Sequence, residues 1–204
     1  SSLEKSTSSL FEDTQILTLE ALKKRVQEGA DINEEKNGCP ILEVFLEQKN
    51  YACAEYLIDL GAKTDTIYDL GFKKLIGPSN WGICQAAAAY GTNTILDKLH
   101  QRNANLKPTY DNGRELRFSM LHAAAEAGNK ETLNWLLRNL EFSQEQIQES
   151  FRLAIYNNYF DCAMRLIPLL TNHKVTNILN EALHLASIKG AYPLALELIA
   201  SELS

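Results

Sequence analysis

The chain has 204 residues, 45% of them hydrophobic, with 26 acidic against 20 basic side chains and a net charge of −6. That is enough apolar content for one sizeable core, the wrong charge sign for a general nucleic-acid binder, and no apolar run nears the roughly 18 residues of a membrane span. The polar start, SSLEKSTSS, does not read as a secretion signal, and the cysteines at 39, 53, 84 and 162 form no Cys-x-x-Cys pair, so a cytoplasmic setting is expected, with each thiol a small buried hydrophobe.

In chain order, residues 1–8 are serine-rich and expected to fray. A first helix is expected from about Ser9 or Leu10, and a second over Thr18 to Gln27, where Leu19, Leu22 and Val26 recur at helical spacing with lysines opposite. Together they make a polar capping unit, either a full helix pair or one helix and a cap. The next unit opens at residues 39–42, CPIL, where Pro40 suits the first helical position because its missing N–H would lack a partner there anyway. Its turn, Gln48 to Asn50, carries one extra residue in this register.

The connection between Ala62 and Gly82, containing TIYDLGFKKLIGPSNW, is rich in aromatic, lysine and turn residues. A second, NLKPTYDNGRELRF, lies between Ala104 and Ser119, with a turn expected at Asp111, Asn112 and Gly113. The connections at 140–149 and 170–180 are short. Charge is uneven: residues 1–62 hold 12 acidic and 6 basic side chains, 63–117 hold 5 and 8, and 118–204 hold 9 and 6. A mildly basic centre between acidic ends could orient a charged partner.

The most informative stretch is 119–137, SMLHAAAEAGNKETLNWLL. It reads as two short helices joined by Gly128. Ala124 and Ala125 allow close approach of a neighbouring helix, while Leu133, Leu136 and Leu137 form an apolar stripe that one unit cannot bury alone. The leucine pair of the second helix aligns with Arg25/Val26, Leu57/Ile58, Leu99/His100, Leu166/Ile167 and Leu198/Ile199. The closing Gly-Ala recurs at Gly29/Ala30 and Gly61/Ala62, with Asn103/Ala104 a variant in which asparagine takes the left-handed conformation. The inter-helix glycine recurs at Gly91 and Gly190.

These residues resemble the ankyrin repeat. Leu121, His122, Ala124, Ala125, Gly128, Leu136 and Leu137 fall on its signature positions, with Ser119 and Met120 replacing the usual threonine and proline. A tetratricopeptide or other helical array does not demand this register. The resemblance implies an all-α ankyrin-repeat solenoid of stacked helix-turn-helix units with irregular finger loops: a single domain over 9–204, with repeats at about 9–36, 37–65, 66–106, 107–142, 143–173 and 174–204. The first long finger then exceeds the usual length by about nine residues and the second by about four, and the last two fingers are stunted.

No P-loop, dinucleotide turn or H-E-x-x-H zinc pattern is present, and Cys84 falls on a buried leucine position, so neither a catalytic nor a metal or cofactor role is expected. His122 and His184 occupy the family's histidine, which implies structural rings tying neighbouring loops; loss of one hydrogen bond at His122 is expected to cost about 0.5–1.5 kcal/mol. His100 and His173 read as boundary or surface residues, Trp135 as core, and Tyr159 and Phe160 as packing at the fifth turn. In the final helix, Leu194, Leu196, Leu198, Ile199 and Leu203 are apolar where a terminal repeat normally turns polar, implying a longer protein or a covering surface.

The resemblance implies a non-catalytic scaffold, monomeric in isolation, that binds another protein through its concave face and fingers. The alternative is a targeting or substrate-selecting arm of a larger enzyme, or a secreted bacterial effector acting in host cytosol. The expected contact residues are Tyr68, Phe72, Lys73, Lys74 and Trp81 from the first finger, Tyr110, Arg114 and Arg117 from the second, and Tyr90 and Glu126 on first helices; the competing reading is that the long finger folds back and seals the stack, with about half of Tyr68, Phe72 and Trp81 packing the loop onto it. This mixture suits an acidic or amphipathic protein segment, with neither nucleic acid nor membrane insertion involved.

Overall fold

The computed structural model describes residues 9–11, 17–69, 80–107, 118–170 and 175–202. They fall into two compact units, Ser1–Glu115 and Leu116–Ser204.

In the first unit α1 (Leu19–Gln27) begins at Thr18, whose side chain accepts the Ala21 N–H at 3.2 Å. No helix starts at Ser9. Residues 9–11 are instead held in a turn by Glu34, which accepts the Ser9 hydroxyl and, at 2.7 Å, the Leu10 N–H, while Arg25 donates to the Ser9 carbonyl at 3.2 Å. This turn buries Leu10 completely; residues 12–16 lie outside the described residues. A two-residue hairpin follows, β1 (Glu35–Lys36) against β2 (Cys39–Pro40), turning on Asn37 and Gly38, both at positive φ. The Asn-Gly dipeptide announces this hairpin, although the repeat reading passed over it.

Helices α2 (Ile41–Glu47) and α3 (Tyr51–Asp59) form the next pair. Pro40 is the residue before the first helical position rather than that position, because its carbonyl and extended backbone already belong to the hairpin. The turn holds no extra residue either. Lys49 takes the left-handed conformation at φ 57°, the geometry of Gly128 at φ 70°, and stands seven residues after Leu42 as Gly128 does after Leu121. The long finger is a hairpin at its base, β3 (Ile67–Asp69) antiparallel to β4 (Asn80–Gly82), and leads into α4 (Ile83–Tyr90) and α5 (Asn93–Gln101). Gly91 is needed for space rather than for φ: a Cβ there would sit 2.4 Å from the Ala87 carbonyl oxygen. First helix α2 packs on α4, and second helices α1, α3 and α5 pack in sequence.

The second unit repeats this two-row arrangement with α6 (Met120–Ala127), α8 (Gln144–Tyr156) and α10 (Val175–Ile188) in one row. The other row holds α7 (Lys130–Asn139), α9 (Phe160–Leu166) continued by a 3-10 turn at Ile167–Leu169, and α11 (Tyr192–Glu202). The short connection before α8 is absorbed into helix: α8 has 13 residues where α6 has 8, begun by Ser143 and Gln146 in a capping box. Small residues bring the first row close. Ala123, Ala124, Ala125 and Ala154 are fully buried between α6, α7, α8 and α9. Trp135, Cys84 and Cys162 are buried as expected, whereas Cys39 is half-buried.

Candidate functional site

His122 is a buried polar side chain of the second unit with partners on both ring nitrogens. Its Nδ1 accepts the backbone N–H of Ser119 at 3.0 Å and the Ser119 hydroxyl at 2.7 Å. An Nδ1 that accepts leaves the proton on Nε2, which donates to Glu149 Oε2 at 2.8 Å. The ring, stacked 5.2 Å from Phe118, thus fixes the start of α6 and pins it to α8. The ring therefore ties a helix cap to the next first helix, rather than loop to loop. Serine, histidine and carboxylate are in contact here, but Ser119 is the helix cap and buried, so the trio serves as a structural clamp.

His184 departs from that expectation. It stands at the same helical position of α10 yet is exposed: among the described residues α10 packs chiefly on α8 and α11, and neither covers the ring. His100 is exposed as expected, and His173 lies outside the described residues.

The finger residues divide sharply. Tyr68 and Trp81 face each other across the β3–β4 hairpin and are only 3% and 1% exposed. The assignment of these two as partner contacts is corrected: strand pairing turns both rings inward, with Trp81 centred 6.5 Å from Tyr90. Burial, and next Glu43, push the Tyr68 hydroxyl well above its usual range. Tyr90 is half-buried, and its carbonyl accepts the Tyr51 hydroxyl at 2.9 Å. Glu126 is half-buried on α6. Phe72, Lys73, Lys74, Tyr110, Arg114 and Arg117 lie outside the described residues.

What the sequence reading missed is a row on the first helices of the second unit. Five residues after Leu121 stands Glu126; the equivalent positions on α8 and α10 are Tyr156 and Ile188, 54% and 68% exposed. Tyr156 is anchored by donating its hydroxyl to Glu181 at 2.5 Å, and that bond, with a smaller contribution from burial, raises its pKa. Arg152 lies 3.9 Å from the same carboxylate. Beneath this polar rim a shallow slot is floored by Phe151, Ile155, Ile178 and Ala182. Counting from the aligned leucine would have found the row. Sequence alone gives no measure of how exposed its aromatic and aliphatic members are.

Two of the thiols are poor nucleophiles. Burial pushes Cys84 up to about 12 and, helped by Asp161, Cys162 to about 11, and Cys84 Sγ points at the Asn105 carbonyl at 3.3 Å. Among the described residues no group of three or more His, Cys, Asp or Glu is placed to hold a metal, and no helix is long and apolar enough to cross a membrane.

No family model matches the chain, and no curated protein matches it. Solved structures do. The human ASB11 ankyrin repeat domain matches with a TM-score of 0.65 and 20% identity, over 90% of this chain and 78% of its own length. The ankyrin repeat domain of Bcl-3, a member of the IkappaB protein family, matches with a TM-score of 0.53 and 19% identity, over 90% and 79%. The chain has the ankyrin-repeat fold. The degenerate copies are thereby explained as ankyrin units. The helix pair recurs even where the signature has dissolved, with Lys49 in the place of the turn glycine and Glu43 in that of the histidine. The base of the long finger carries structural aromatics, whereas Tyr156 and Ile188 on first helices of the second unit are exposed.

Proposed function

We propose that this ankyrin-repeat chain is a protein-interaction module without chemistry of its own, gripping its partner along the exposed row of its first helices. The observation that carries this reading is the row itself. Tyr156 and Ile188 are large, apolar and exposed at equivalent positions of successive helices, beside Glu126, with a polar rim at Arg152 and Glu181. Aromatic anchors of this kind dominate binding energy, and flanking charges speed encounter and fix register. The partner this suits is an amphipathic protein segment whose apolar side chains lie along Tyr156 and Ile188. In the first unit, Tyr90 and the finger residues Phe72, Lys73 and Lys74 are proposed as an additional contact region.

The test is capture from cytosolic extract by the wild-type chain and by Tyr156→Ala and Ile188→Ala, with melting temperature measured alongside. A selective loss of one captured protein, amounting to about 1–2 kcal/mol in affinity for each anchor, supports the site if the melting temperature holds. Undiminished capture by the double variant refutes it.

A further inference from the structure

The exposed row of first helices is the apolar end of a longer pattern. On α8, Glu145, Glu149, Arg152 and Tyr156 follow at i, i+4, i+7 and i+11, the spacing of one helix face. Counted back from the positive-φ turn residues Asn158 and Gly190, Glu149, Arg152 and Tyr156 match Glu181, His184 and Ile188 on α10. Each stripe thus runs from carboxylate through a nitrogen-bearing side chain to a large apolar group. The apolar end lies beside the inter-helix turn, and the carboxylate stands about 10 Å away, seven residues at about 1.5 Å each.

This face is open where the row is complete on both sides. Helix α8 has a first helix at each flank, α6 and α10, and Tyr156 is still 54% exposed, with the side chains of Arg152 and Glu181 each 44% exposed. The face also carries one dominant sign. First helices α6, α8 and α10 hold Glu126, Glu145, Glu149 and Glu181 against Arg152 alone, whereas second helices α7, α9 and α11 hold four carboxylates and three cations and are near balance. The Arg152 pair with Glu181 is loose, at 3.9 Å between exposed groups, so another cation can displace Arg152 at little cost. Lys189, past Ile188 on the turn side, is held by Asn158 and leaves the carboxylate end as the place for added positive charge.

We propose, resting on the reading of this row as the binding site, that its partner is a cationic amphipathic α-helix lying across α8 and α10. Neighbouring stripes stand about 10 Å apart, the usual spacing of packed helices, which matches the roughly 10.5 Å between residues i and i+7 of a helix. Apolar residues seven apart then rest on Tyr156 and Ile188. A helix is about 10–12 Å across, the separation of the two ends of each stripe, so lysines or arginines on its flank reach Glu149 and Glu181. An acidic segment, the other partner class that the sequence suggests, would set like charges against each other.

A displayed library of random peptides of about 16 residues, long enough to cross both stripes as a helix, tests this when selected on the full 204-residue chain and counter-selected on the Tyr156→Ala/Ile188→Ala variant. The recovered peptides are rich in lysine and arginine beside an apolar face. Their affinity falls at least about tenfold for Glu181→Lys and returns when the peptide's cations are exchanged for glutamate. Glu181→Gln, which still accepts from Tyr156, gives a smaller loss in the same sense at an unchanged melting temperature. Acidic or uncharged peptides that need Tyr156, indifference to Glu181→Lys, or tolerance of a central proline overturn the cationic helix and leave the row as the site. A library that yields no peptide distinguishing the wild type from the double variant overturns the row, and the cationic helix with it.

Discussion

Replacing His122 by alanine removes more than one hydrogen bond. The Ser119 N–H, buried at the start of α6, loses its acceptor at 3.0 Å, and stranding a buried donor costs about 1–2 kcal/mol. The contact to Glu149 at 2.8 Å is lost too. That carboxylate is partly exposed and regains water, so its share is about 0.5–1 kcal/mol. The vacated space beside Phe118 adds about 1 kcal/mol, as partially collapsed cavities do. The expected loss is therefore about 2.5–4 kcal/mol, above the single-bond figure that the sequence suggests. Urea unfolding measures it. Trp135 lies in the same unit as His122 and Trp81 in the other, so tryptophan fluorescence in a Trp81→Phe background reports on the second unit alone. Companion measurements on Glu149→Ala and the double variant isolate the pair. A loss below about 0.5 kcal/mol, or strict additivity of the two substitutions, would refute the clamp.

Other outcomes follow from single contacts. Gly128→Ala should cost at least about 2 kcal/mol in urea unfolding, because φ is 70° and the new Cβ would lie 2.2 Å from the Tyr159 ring. Adding Tyr159→Ala should recover the steric part and leave the backbone strain of about 1 kcal/mol; no recovery would mean that the ring is not the obstacle. Trp81→Ala should destabilise the first unit by about 3–5 kcal/mol, and a stable variant that only loses partner binding would restore the sequence assignment. Alkylation at pH 8 followed by mass spectrometry should label half-buried Cys39 first, since burial keeps Cys84, at about 12, and Cys162, at about 11, protonated. Rapid labelling of Cys84 in the folded chain would contradict its packing.

The sequence by itself determined the repeat. Leu121, His122, Ala124, Ala125 and Gly128 encode a short helix, a close approach and a left-handed turn, all local demands written in residue type at fixed spacing. Closing residues Gly29, Gly61 and Asn103 were legible for the same reason, and each does adopt positive φ. Tertiary structure alone decided which residues face outward. Tyr68 and Trp81 looked like exposed anchors because a loop has no periodicity to reveal an inward face, and only the pairing of β3 with β4 turned both rings into the core. His122 and His184 share a motif position yet part in environment, since burial depends on whether another helix covers the ring. Likewise Lys49 stands in a glycine's place, held there by the neighbouring helices whatever its local preference, whereas the start of α8 was legible in the Ser143 and Gln146 capping box. Spacing along the chain sets the unit, whereas exposure belongs to the contacts between units, and a binding surface is made of exposure.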